Sequence, residues 1–534
     1  MAALACAIGL TVKYGSTYRP VVEPVREIEE IWALEDAREE SGEPLVTRLF
    51  CNGVPMAYDA ENNVFYGSLG LENGAQWPEI KLTASEETAK GLSLCFADDY
   101  GFDDCDAAIR EGYSYQIFAY TDTAYSYAEV VFTGLPLVNV TAEQTIERED
   151  VPAQIEIALA AEGLQTNGRI HKRGGASILN DKVGYKLEFT RTTDGKKKIY
   201  REIPGMGTDS QVILLPMNAL DTTMMRDRLS WALYARLTRR DEPFSARKTQ
   251  YCELFLNGEY RGVYLMLEPF SVRQEVAKAG EERLTTDSVY RTAVISLSHG
   301  RPCMEDPYSA ATGFELYYPM DGEPDFSPLA DYFALLGETD DAAFMRRAAQ
   351  SIDLDSALRY DVVLQLFGLT DNVINNMYTW AQNSRGHTRY RFDFWDLDVS
   401  WGLKRDEIGE MHENWVFFPL VDRLLRADEE GGVRQRYGEI YREVREKAFD
   451  TEMVEALVGQ YAHELNDSGA MARNAERWET ENYAADGYEL VAFAAERIAL
   501  LDEPVRAMSA GEEIDLRFLE KTNYDDKGTP LSEE

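Results

Sequence analysis

The chain has 534 residues, of which 45% are hydrophobic, enough for roughly two to four domains with well-filled cores. Its 54 basic and 94 acidic residues give a formal net charge of −40, which argues against general nucleic-acid binding because a phosphate backbone would be repelled except at a local basic patch. The six cysteines form no CxxC pair, and HExxH, GxSxG and Walker-type motifs are missing, so zinc, thioredoxin-type, metalloprotease, serine-hydrolase and P-loop chemistry have no basis in the sequence.

The N-terminal part predicts a lead-in segment, 1–43, followed by a small β-rich domain, 44–150. Residues 1–12 are apolar but too short to span a bilayer and lack a basic leader, so a trimmed signal peptide, the end of a removed membrane anchor and a plain strand remain open. An acidic stretch over 20–43 predicts a helix. Short β-like runs separated by polar turns then indicate a β-sandwich: 64–69, 81–84, 113–120 and 129–135. No later run approaches membrane-spanning length, so we expect no membrane span in the chain as given.

The segment 169–189 combines a basic strand, a glycine turn and a second strand. Gly174 and Gly175 would let backbone N–H groups approach an anion, and a lysine on the following strand can reach it. Lys182 and Lys186 are an even number of residues apart and are expected to share a strand face. The segment forms a basic island in an acidic chain, as expected of a polyphosphate site: Arg169, Lys172, Arg173, Lys182 and Lys186. The alternative is a plain turn between strands with solvated lysines.

The segment 221–237 has apolar residues at helical spacing and predicts an amphipathic helix. Asp221 or Thr222 is expected to be its N-cap. Arg226 and Arg228 lie near the helix start, where the helix dipole disfavours a cation. An anionic partner is therefore expected for at least one of them, either a phosphate or, more often, a structural carboxylate.

A β-hairpin is predicted over 251–267. Apolar and polar residues alternate on either side of Asn257-Gly258, the strongest short hairpin signal in the chain. Glu268 ends the second strand, where a solvated carboxylate is the simplest interpretation.

The segment 369–402 carries the chemistry-bearing side chains. Asp371 and Asn376 precede a predicted hairpin, and Asp396 and Asp398 follow it, so the hairpin is expected to bring the two groups together. In this segment an Asp is followed five residues later by an Asn, then by a hairpin and then by a second Asp. Protein kinases use this arrangement to hold a catalytic base and two magnesium ions. Oxygen ligands suit Mg²⁺, which keeps several waters. An Asx-turn or helix cap, and a capped strand end, are the alternatives.

The remainder of the chain is predicted to be helical. Helices are expected at 412–426, 432–448, 451–467 and 488–501. An acidic tail over 511–534 is expected to be loosely ordered.

Four of these segments together resemble the CotH kinase family, spore-coat atypical kinase-like proteins. They occur in the family's order: 169–189, 214–237, 251–268 and 369–402. The chain departs from the family in one place. The family commonly has Pro-Lys-Lys-Pro-Tyr where this sequence has Asp181-Lys182-Val183-Gly184-Tyr185.

The resemblance implies an α+β protein with an atypical protein-kinase-like fold over 151–510, made of a β-rich N-lobe and a helical C-lobe and preceded by the small β-sandwich. The implied reaction is transfer of the ATP γ-phosphoryl group to a Ser or Thr hydroxyl of a protein substrate, with Mg²⁺ or Mn²⁺. The location stays open, with the bacterial cell envelope or the exterior favoured over the cytoplasm.

The resemblance also implies roles for individual residues. Asp371 corresponds to the base or hydroxyl-orienting group, and Lys182 to the catalytic phosphate clamp. The implied nucleotide-binding residues are Lys182, Lys186, Arg173 and Glu268, with Lys186 as the reserve for the clamp. The implied metal ligands are Asn376, Asp396 and, in reserve, Asp398.

Two other functions remain open. The kinase-like fold can serve as the scaffold of a non-catalytic surface or adhesion protein, which the altered lysine motif favours. The chain can also be an enzyme that moves AMP or phosphate to a non-protein acceptor, because fold does not settle chemistry.

Overall fold

The chain is a mixed α+β protein, and its computed structural model describes residues 21–71, 80–85, 91–97, 105–174, 176–217, 221–292, 314–319, 325–384, 386–403, 415–416 and 418–512. The apolar segment 1–12 and the part of the predicted tail beyond 512 lie outside the described residues. Within the described ranges, no helix combines the length and hydropathy needed to cross a membrane.

The N-terminal elements form two small sheets. In chain order they are β1 (Val22–Glu23), α1 (Ile28–Asp36), β2 (Glu39–Glu40), β3 (Leu49–Cys51), β4 (Val54–Pro55), β5 (Ala57–Asp59), β6 (Val64–Ser68), β7 (Leu82–Ala84), β8 (Ser93–Phe96), α2 (Cys105–Arg110), β9 (Ser114–Tyr120) and β10 (Ala124–Thr133). Strands β1, β8, β9, β10, β6 and β5 lie side by side in this order, β2 pairs with β10, and β4, β3 and β7 form the second sheet. Residues of both sheets share one hydrophobic core. The helix and the four strands expected here are present; their packing as a sandwich stays a prediction.

The next elements build a closed β-barrel. They are β11 (Leu137–Thr141), β12 (Val151–Leu159), β13 (Glu162–Arg173), β14 (Gly184–Thr190), β15 (Arg201–Ile203), β16 (Gly207–Asp209), β17 (Gln211–Leu215), α3 (Arg226–Tyr234), β18 (Thr249–Leu256) and β19 (Glu259–Leu267). The barrel order is β11-β12-β13-β14-β17-β19-β18, and the predicted Asn257-Gly258 hairpin is confirmed as β18 and β19. Along β14, Tyr185, Leu187 and Phe189 pack in the barrel core, so the alternate residues lie on its outer face.

Helix α3 starts later than the sequence predicts. Asp221 and Thr222 are not its N-cap, because the residues from Asp221 to Met225 form a turn in which Met224 has a φ of 57°. The Asp221 carboxylate stabilises this turn by accepting hydrogen bonds from the backbone N–H groups of Thr223 and Arg226 at 3.2 Å each. The helix therefore begins at Arg226 and ends at Tyr234.

The remaining elements form a helical region around a four-stranded sheet. They are α4 (Val272–Lys278), β20 (Ser288–Thr292), β21 (Phe314–Tyr318), α5 (Ser327–Leu336), α6 (Asp341–Ser351), α7 (Leu354–Phe367), α8 (Asp371–Ile374), β22 (Met377–Ser384), β23 (His387–Phe394), α9 (Pro419–Arg426), α10 (Gly432–Ala448), α11 (Thr451–Asp467), α12 (Ala470–Trp478) and α13 (Tyr488–Ser509). The sheet order is β21-β20-β22-β23, and the predicted hairpin is β22 and β23. One large core joins α3, the outer face of the barrel and this region.

A buried ion pair fastens α12 to the barrel. Arg473 on α12 donates from Nε and Nη2 to the two carboxylate oxygens of Glu253 at 2.9 and 2.8 Å, and the Tyr260 hydroxyl donates to the same carboxylate at 2.6 Å. The Glu253 side chain is fully buried. Burial raises the pKa of Glu253, but the charge and hydrogen bonds of Arg473 outweigh it and hold that pKa below its usual value.

Arg473→Met is expected to lower the free energy of unfolding by about 3–5 kcal/mol, because it leaves the Glu253 carboxylate buried without a cation. The matched control is Arg477→Met on the same helix, whose partner Glu259 has a side chain 46% exposed to solvent. Its loss is expected to cost at most about 1 kcal/mol. Urea unfolding of the three proteins measures both values, and equal losses would contradict the assignment of Glu253 and Arg473 as the anchoring pair.

Candidate active site

The end of the β22–β23 hairpin places Asn376 opposite Trp395, the residue before Asp396. Met377 pairs with Phe394, so the residues just beyond this pair meet, and the backbone N–H of Trp395 donates to the Asn376 carbonyl oxygen at 3.0 Å. Asn376 and Asp396 have φ angles of 56° and 59°, a conformation uncommon for residues other than glycine. Such backbone strain persists where surrounding contacts fix it, and it concentrates at functional sites.

Asp371 joins the same group through Asn376. Helix α7 ends at Phe367, its C-cap Gly368 has a φ of 66°, and the chain turns into the short helix α8, which starts at Asp371. The Asn376 side-chain Nδ2 donates to Asp371 Oδ2 at 2.9 Å, so the amide oxygen of Asn376 points away from Asp371. Asn372 ties the turn to the hairpin, because its Nδ2 donates to the Trp395 carbonyl oxygen at 2.8 Å. Asp371 is 1% exposed, which makes it a buried group at the base of the site.

A third carboxylate, which the sequence analysis missed, lies beside Asp396. Asp227 on α3 accepts a hydrogen bond from the backbone N–H of Leu397 at 3.3 Å. Burial and the negative charge of Asp396 raise the pKa of Asp227 well above its usual value. In the sequence, Asp227 is marked only by its position between Arg226 and Arg228 at a helix start. At such a position the helix dipole makes the two arginines the unusual residues, and an aspartate is ordinary.

One face of α3 is hydrogen bonded to the segment that follows β23. Arg226 Nε donates to the Ser400 carbonyl oxygen at 3.1 Å, and the Trp401 indole N–H donates to Ser230 Oγ at 2.9 Å. Together with the Asp227 contact, these bonds fix the loop that carries Asp396 and Asp398. Both carboxylates are partly exposed, and Asp396 is the one adjacent to Trp395.

The expectation of structural carboxylates for the arginines of α3 is confirmed. Arg226 forms ion pairs with Asp221 and Glu489. Arg228 pairs with Glu464 at 2.7 Å, and its guanidinium lies over the rings of two tyrosines. The two arginines therefore stabilise the packing of α3 against neighbouring segments, and their partners are protein carboxylates and not a phosphate.

The acidic group fits a hard divalent cation held by few protein ligands. Within the described ranges, no three or more His, Cys, Asp or Glu side chains have the arrangement of a metal site. However, Mg²⁺ is commonly bound by one or two carboxylates and keeps several waters. Asp396, the amide oxygen of Asn376 and Asp227 are such oxygen donors. Burial is the main cause of the raised pKa of Asp227, and the negative charge of Asp396, which a cation would relieve, adds to it.

Lys182 does not share a strand face with Lys186, contrary to the sequence prediction. Strand β14 begins at Gly184, so Lys182 lies before it, where strand alternation does not apply. Its Nζ donates to the Val263 carbonyl oxygen at 2.6 Å and to Asn474 Oδ1 at 2.9 Å. Burial lowers the pKa of Lys182 to about 7. These contacts join the barrel to α12 and do not bring Lys182 to the acidic group.

Lys186 and Arg173 lie on the outer face of the barrel, and Arg173 contacts Trp395, the residue before Asp396. Lys186 is opposite Ile213 on β17, and Ile213 shares a hydrophobic core with Trp395. The Arg173 guanidinium lies 5.8 Å from the centroid of the Trp395 ring. Burial lowers the pKa of Lys186. The carboxylates of Glu188 and Asp150 oppose this shift, whereas the positive charges of Lys198 and Arg173 add to it.

These two cations are the uncommitted members of the basic island. Their neighbours are paired: Arg169 with Asp150 and Glu188, and Lys172 with Glu147. In the part of the chain that the structure describes, neither Lys186 nor Arg173 forms an ion pair within 4.0 Å. The barrel therefore carries two cations without an ion pair on its outer face, one of them in contact with the ring of Trp395, the residue before Asp396.

Hydrogen bonds hold the Glu268 carboxylate at the barrel surface. Both of its oxygens accept hydrogen bonds from Arg240, at 2.6 and 3.0 Å, and one also accepts from the backbone N–H of Lys248. Burial raises the pKa of Glu268, but these hydrogen bonds outweigh it and keep that pKa low. The structure brings Glu268 together with Arg240, and not with Lys186 or the acidic group.

Comparison with known proteins agrees with the resemblance. The family model described as CotH kinase protein matches residues 170–501, more than half of the chain. The matched range includes both free cations, α3 with Asp227 and the whole hairpin end. No curated protein matches the chain.

Proposed function

The chain belongs to the CotH kinase family, and from this kinase-like membership we propose that it is an ATP- and divalent-metal-dependent protein kinase that transfers the γ-phosphoryl group to a Ser or Thr hydroxyl. In this proposal the barrel acts as the β-rich N-lobe, and the helical region acts as the C-lobe. The acceptor is a protein, and the metal is Mg²⁺ or Mn²⁺.

The pairing of free cations with a carboxylate cluster carries the proposal. A metal–nucleotide complex presents phosphate oxygens on one side and a divalent cation on the other, so it needs positive and negative protein groups close together. Arg173 and Lys186 supply the positive groups, in a chain whose net charge of −40 otherwise repels polyphosphate. Asn376, Asp396 and Asp227 supply the oxygen donors.

Each residue then has a role in the transfer. Asp371 orients the acceptor hydroxyl and takes its proton, while Asn376, through its Nδ2, keeps the Asp371 carboxylate in position. Asp396, Asp227 and the Asn376 oxygen would hold the divalent cation, with Asp398 in reserve. Bound Mg²⁺ supplies neutralisation of the charge on the phosphates. Helix α3 keeps the loop after β23 in place.

We assign the phosphate clamp to Lys186 with Arg173, instead of Lys182. Lys186→Met is expected to weaken ATP binding by about 10–100-fold, since a hydrogen bond to a charged group contributes about 1.5–3 kcal/mol. Lys182→Met is the matched control and is expected to leave ATP affinity within about threefold of wild type, because the Lys182 Nζ is bound to Val263 and Asn474. Isothermal titration with ATP and Mg²⁺ measures both, and the reverse pattern would return the clamp to Lys182.

Label transfer tests the reaction itself. Dephosphorylated casein, as a generic protein acceptor, is incubated with the enzyme, Mg²⁺ or Mn²⁺, and ATP labelled at either the γ- or the α-phosphate. Label from the γ position alone on Ser or Thr supports the kinase. Label from the α position indicates AMP transfer and would refute the proposed reaction.

A non-catalytic scaffold is the second candidate. The observation that favours it is Lys182, which stands where the family motif has its phosphate lysine but is committed to structural contacts. A scaffold predicts no stabilisation of the chain by ATP and metal at millimolar concentration. Measurable stabilisation would exclude that form of the hypothesis.

A further inference from the structure

A groove on the outer face of the barrel lies away from the candidate active site. It has a volume of about 490 Å³, within the range of ligand-binding pockets. Strands β11, β12 and β13 supply its floor, and Arg48 from the N-terminal region contributes to its wall. None of the residues proposed to bind ATP or metal lines it. The described residues that line the groove include one acid, one base and no aromatic side chain.

Six polar side chains form two rows across the floor of this groove. Residues that pair directly across antiparallel strands lie on the same face of a sheet. The alternate residues, such as Val140 and Ile155, pack in the barrel core, so the paired polar residues lie outside it. Taken from β11 through β12 to β13, the rows are Asn139, Glu156 and Gln165, then Thr141, Gln154 and Asn167.

The Glu156 carboxylate fixes the side chains of the first row. It accepts hydrogen bonds from Asn139 Nδ2 at 3.1 Å and from Gln165 Nε2 at 2.6 Å, and it forms an ion pair with Arg48. The Glu156 side chain is only 17% exposed. Within the described ranges, the amide oxygen of Asn139 receives no hydrogen bond. The first row therefore presents a positioned acceptor to the groove.

The second row adds further hydrogen-bonding groups. Gln154 Nε2 donates to Asn167 Oδ1 at 2.8 Å, and Asn167 Nδ2 donates to the Arg191 carbonyl oxygen at 3.4 Å. In the part of the chain that the structure describes, the Gln154 amide oxygen and the Thr141 hydroxyl have no hydrogen-bond partner. Both residues are exposed, so these groups are open to a ligand.

The composition of the two rows excludes charged and apolar ligands. Glu156 is paired with Arg48, so the groove has no net charge, although the chain as a whole carries −40. A charged ligand would find no free counterion among the described lining residues, and an apolar ligand would find no apolar side chain on the outer face. Asn and Glu are also depleted in strands, so stability of the sheet does not explain their presence here.

The closed barrel also excludes an added peptide strand. An extended peptide joins a sheet through the unpaired backbone groups of an edge strand. Strands β11, β12 and β13 are each paired on both sides, and closure of the barrel removes such edges. The ligand must therefore bond to side chains, and it must be neutral and rich in hydrogen-bonding groups.

We propose that this groove binds a neutral oligosaccharide. Each sugar hydroxyl can donate one hydrogen bond and accept others. The amide oxygens of Asn139 and Gln154 accept from these hydroxyls, and the remaining N–H groups of Arg48 donate to them. Glu156 acts as a positioning residue, because it holds the side chains of the first row. The proposal does not depend on the kinase reaction.

A glycan array probed with the full chain tests the proposal. The array carries neutral, sialylated and sulfated oligosaccharides. Saturable binding to one or more neutral glycans is expected, with weaker binding or none to the acidic glycans. Absence of binding to every neutral glycan would overturn the proposal. Binding to acidic glycans alone would overturn it as well, because the groove has no free cation for them.

The double variant Asn139→Ala/Gln154→Ala tests where the glycan binds. It is expected to weaken binding of the neutral glycan with the strongest array signal by about tenfold or more, since two hydrogen bonds are lost. Gln116→Ala, which changes an exposed glutamine on β9 outside the groove, is the matched control and is expected to bind as wild type does. Isothermal titration measures all three proteins. Equal affinity in the double variant and the wild type would place the glycan elsewhere and refute the proposal.

Gln154→Trp tests the groove even if the double variant fails to fold. Gln154 is exposed, and its side chain makes no contact with Glu156 or Arg48 among the described hydrogen bonds and ion pairs. A Trp side chain at this position fills the groove from its floor, so glycan binding is expected to be lost while the thermal unfolding temperature stays close to that of the wild type. Undiminished binding by Gln154→Trp would contradict the proposed site.

Discussion

Asp396→Asn is expected to abolish the metal-dependent stabilisation of the protein by ATP. Asp396 directly follows Trp395, which is hydrogen bonded to Asn376, so we take its carboxylate as the ligand that joins the protein to the cation. A ligand present at about 100 times its Kd stabilises the protein that binds it by about 2.7 kcal/mol. The wild type is expected to gain this with ATP and Mg²⁺ or Mn²⁺, and the variant to gain almost none. Thermal unfolding with and without each metal measures the difference.

Asp398→Asn is the control from the same loop, two residues along. It is expected to keep most of the stabilisation, because Asp398 lies farther from Asn376 along the chain. If Asp398→Asn loses the effect and Asp396→Asn keeps it, the two carboxylates exchange roles. If both variants keep the full effect, neither is the metal ligand, and the proposed binding geometry is wrong.

The elements that the sequence predicted best have local signals. The hairpins at Asn257-Gly258 and after Asn376 follow from alternating side chains around a short turn, and α10 and α11 have the bounds expected from helical spacing. Because the hairpin joins Asn376 to Trp395 by its register, the approach of Asn376 to the segment that carries Asp396 could be derived without a structure.

The features that the sequence did not predict depend on contacts between distant segments. Closure of the barrel requires β11 to pair in parallel with β18, more than a hundred residues later, and β11 falls in the range assigned to the N-terminal domain. Asp227 reaches the site only because α3 packs along the loop after β23. No periodicity within either segment indicates such a partner.

Lys182 and Lys186 show why an even separation in sequence does not always place two side chains on the same strand face. An even separation places two residues on one face only if both lie within the strand, and β14 starts between Lys182 and Lys186. Lys182 turns into the protein, where burial lowers its pKa, whereas Lys186 stays on the outer face with Arg173. The start of a strand is set by pairing with its neighbour, which the sequence of one strand does not contain.

Asp371→Asn is expected to lower the rate of phosphoryl transfer by about 10²–10⁴-fold while leaving ATP and metal binding intact. An amide cannot accept the proton of the acceptor hydroxyl, but its oxygen can still accept the hydrogen bond that Asn376 donates to Asp371. The turn between α7 and β22 is therefore expected to keep its structure. Transfer of γ-label to casein measures the rate, and thermal unfolding with ATP and metal on the same sample measures binding.

The two carboxylate variants separate the proton acceptor from the metal ligand. Asp396→Asn is expected to lose both stabilisation by ATP and transfer, whereas Asp371→Asn is expected to lose transfer alone. Undiminished transfer by Asp371→Asn would show that proton removal is left to another group. Loss of ATP stabilisation by Asp371→Asn would make Asp371, which is almost fully buried, a structural support for Asn376 and not the base.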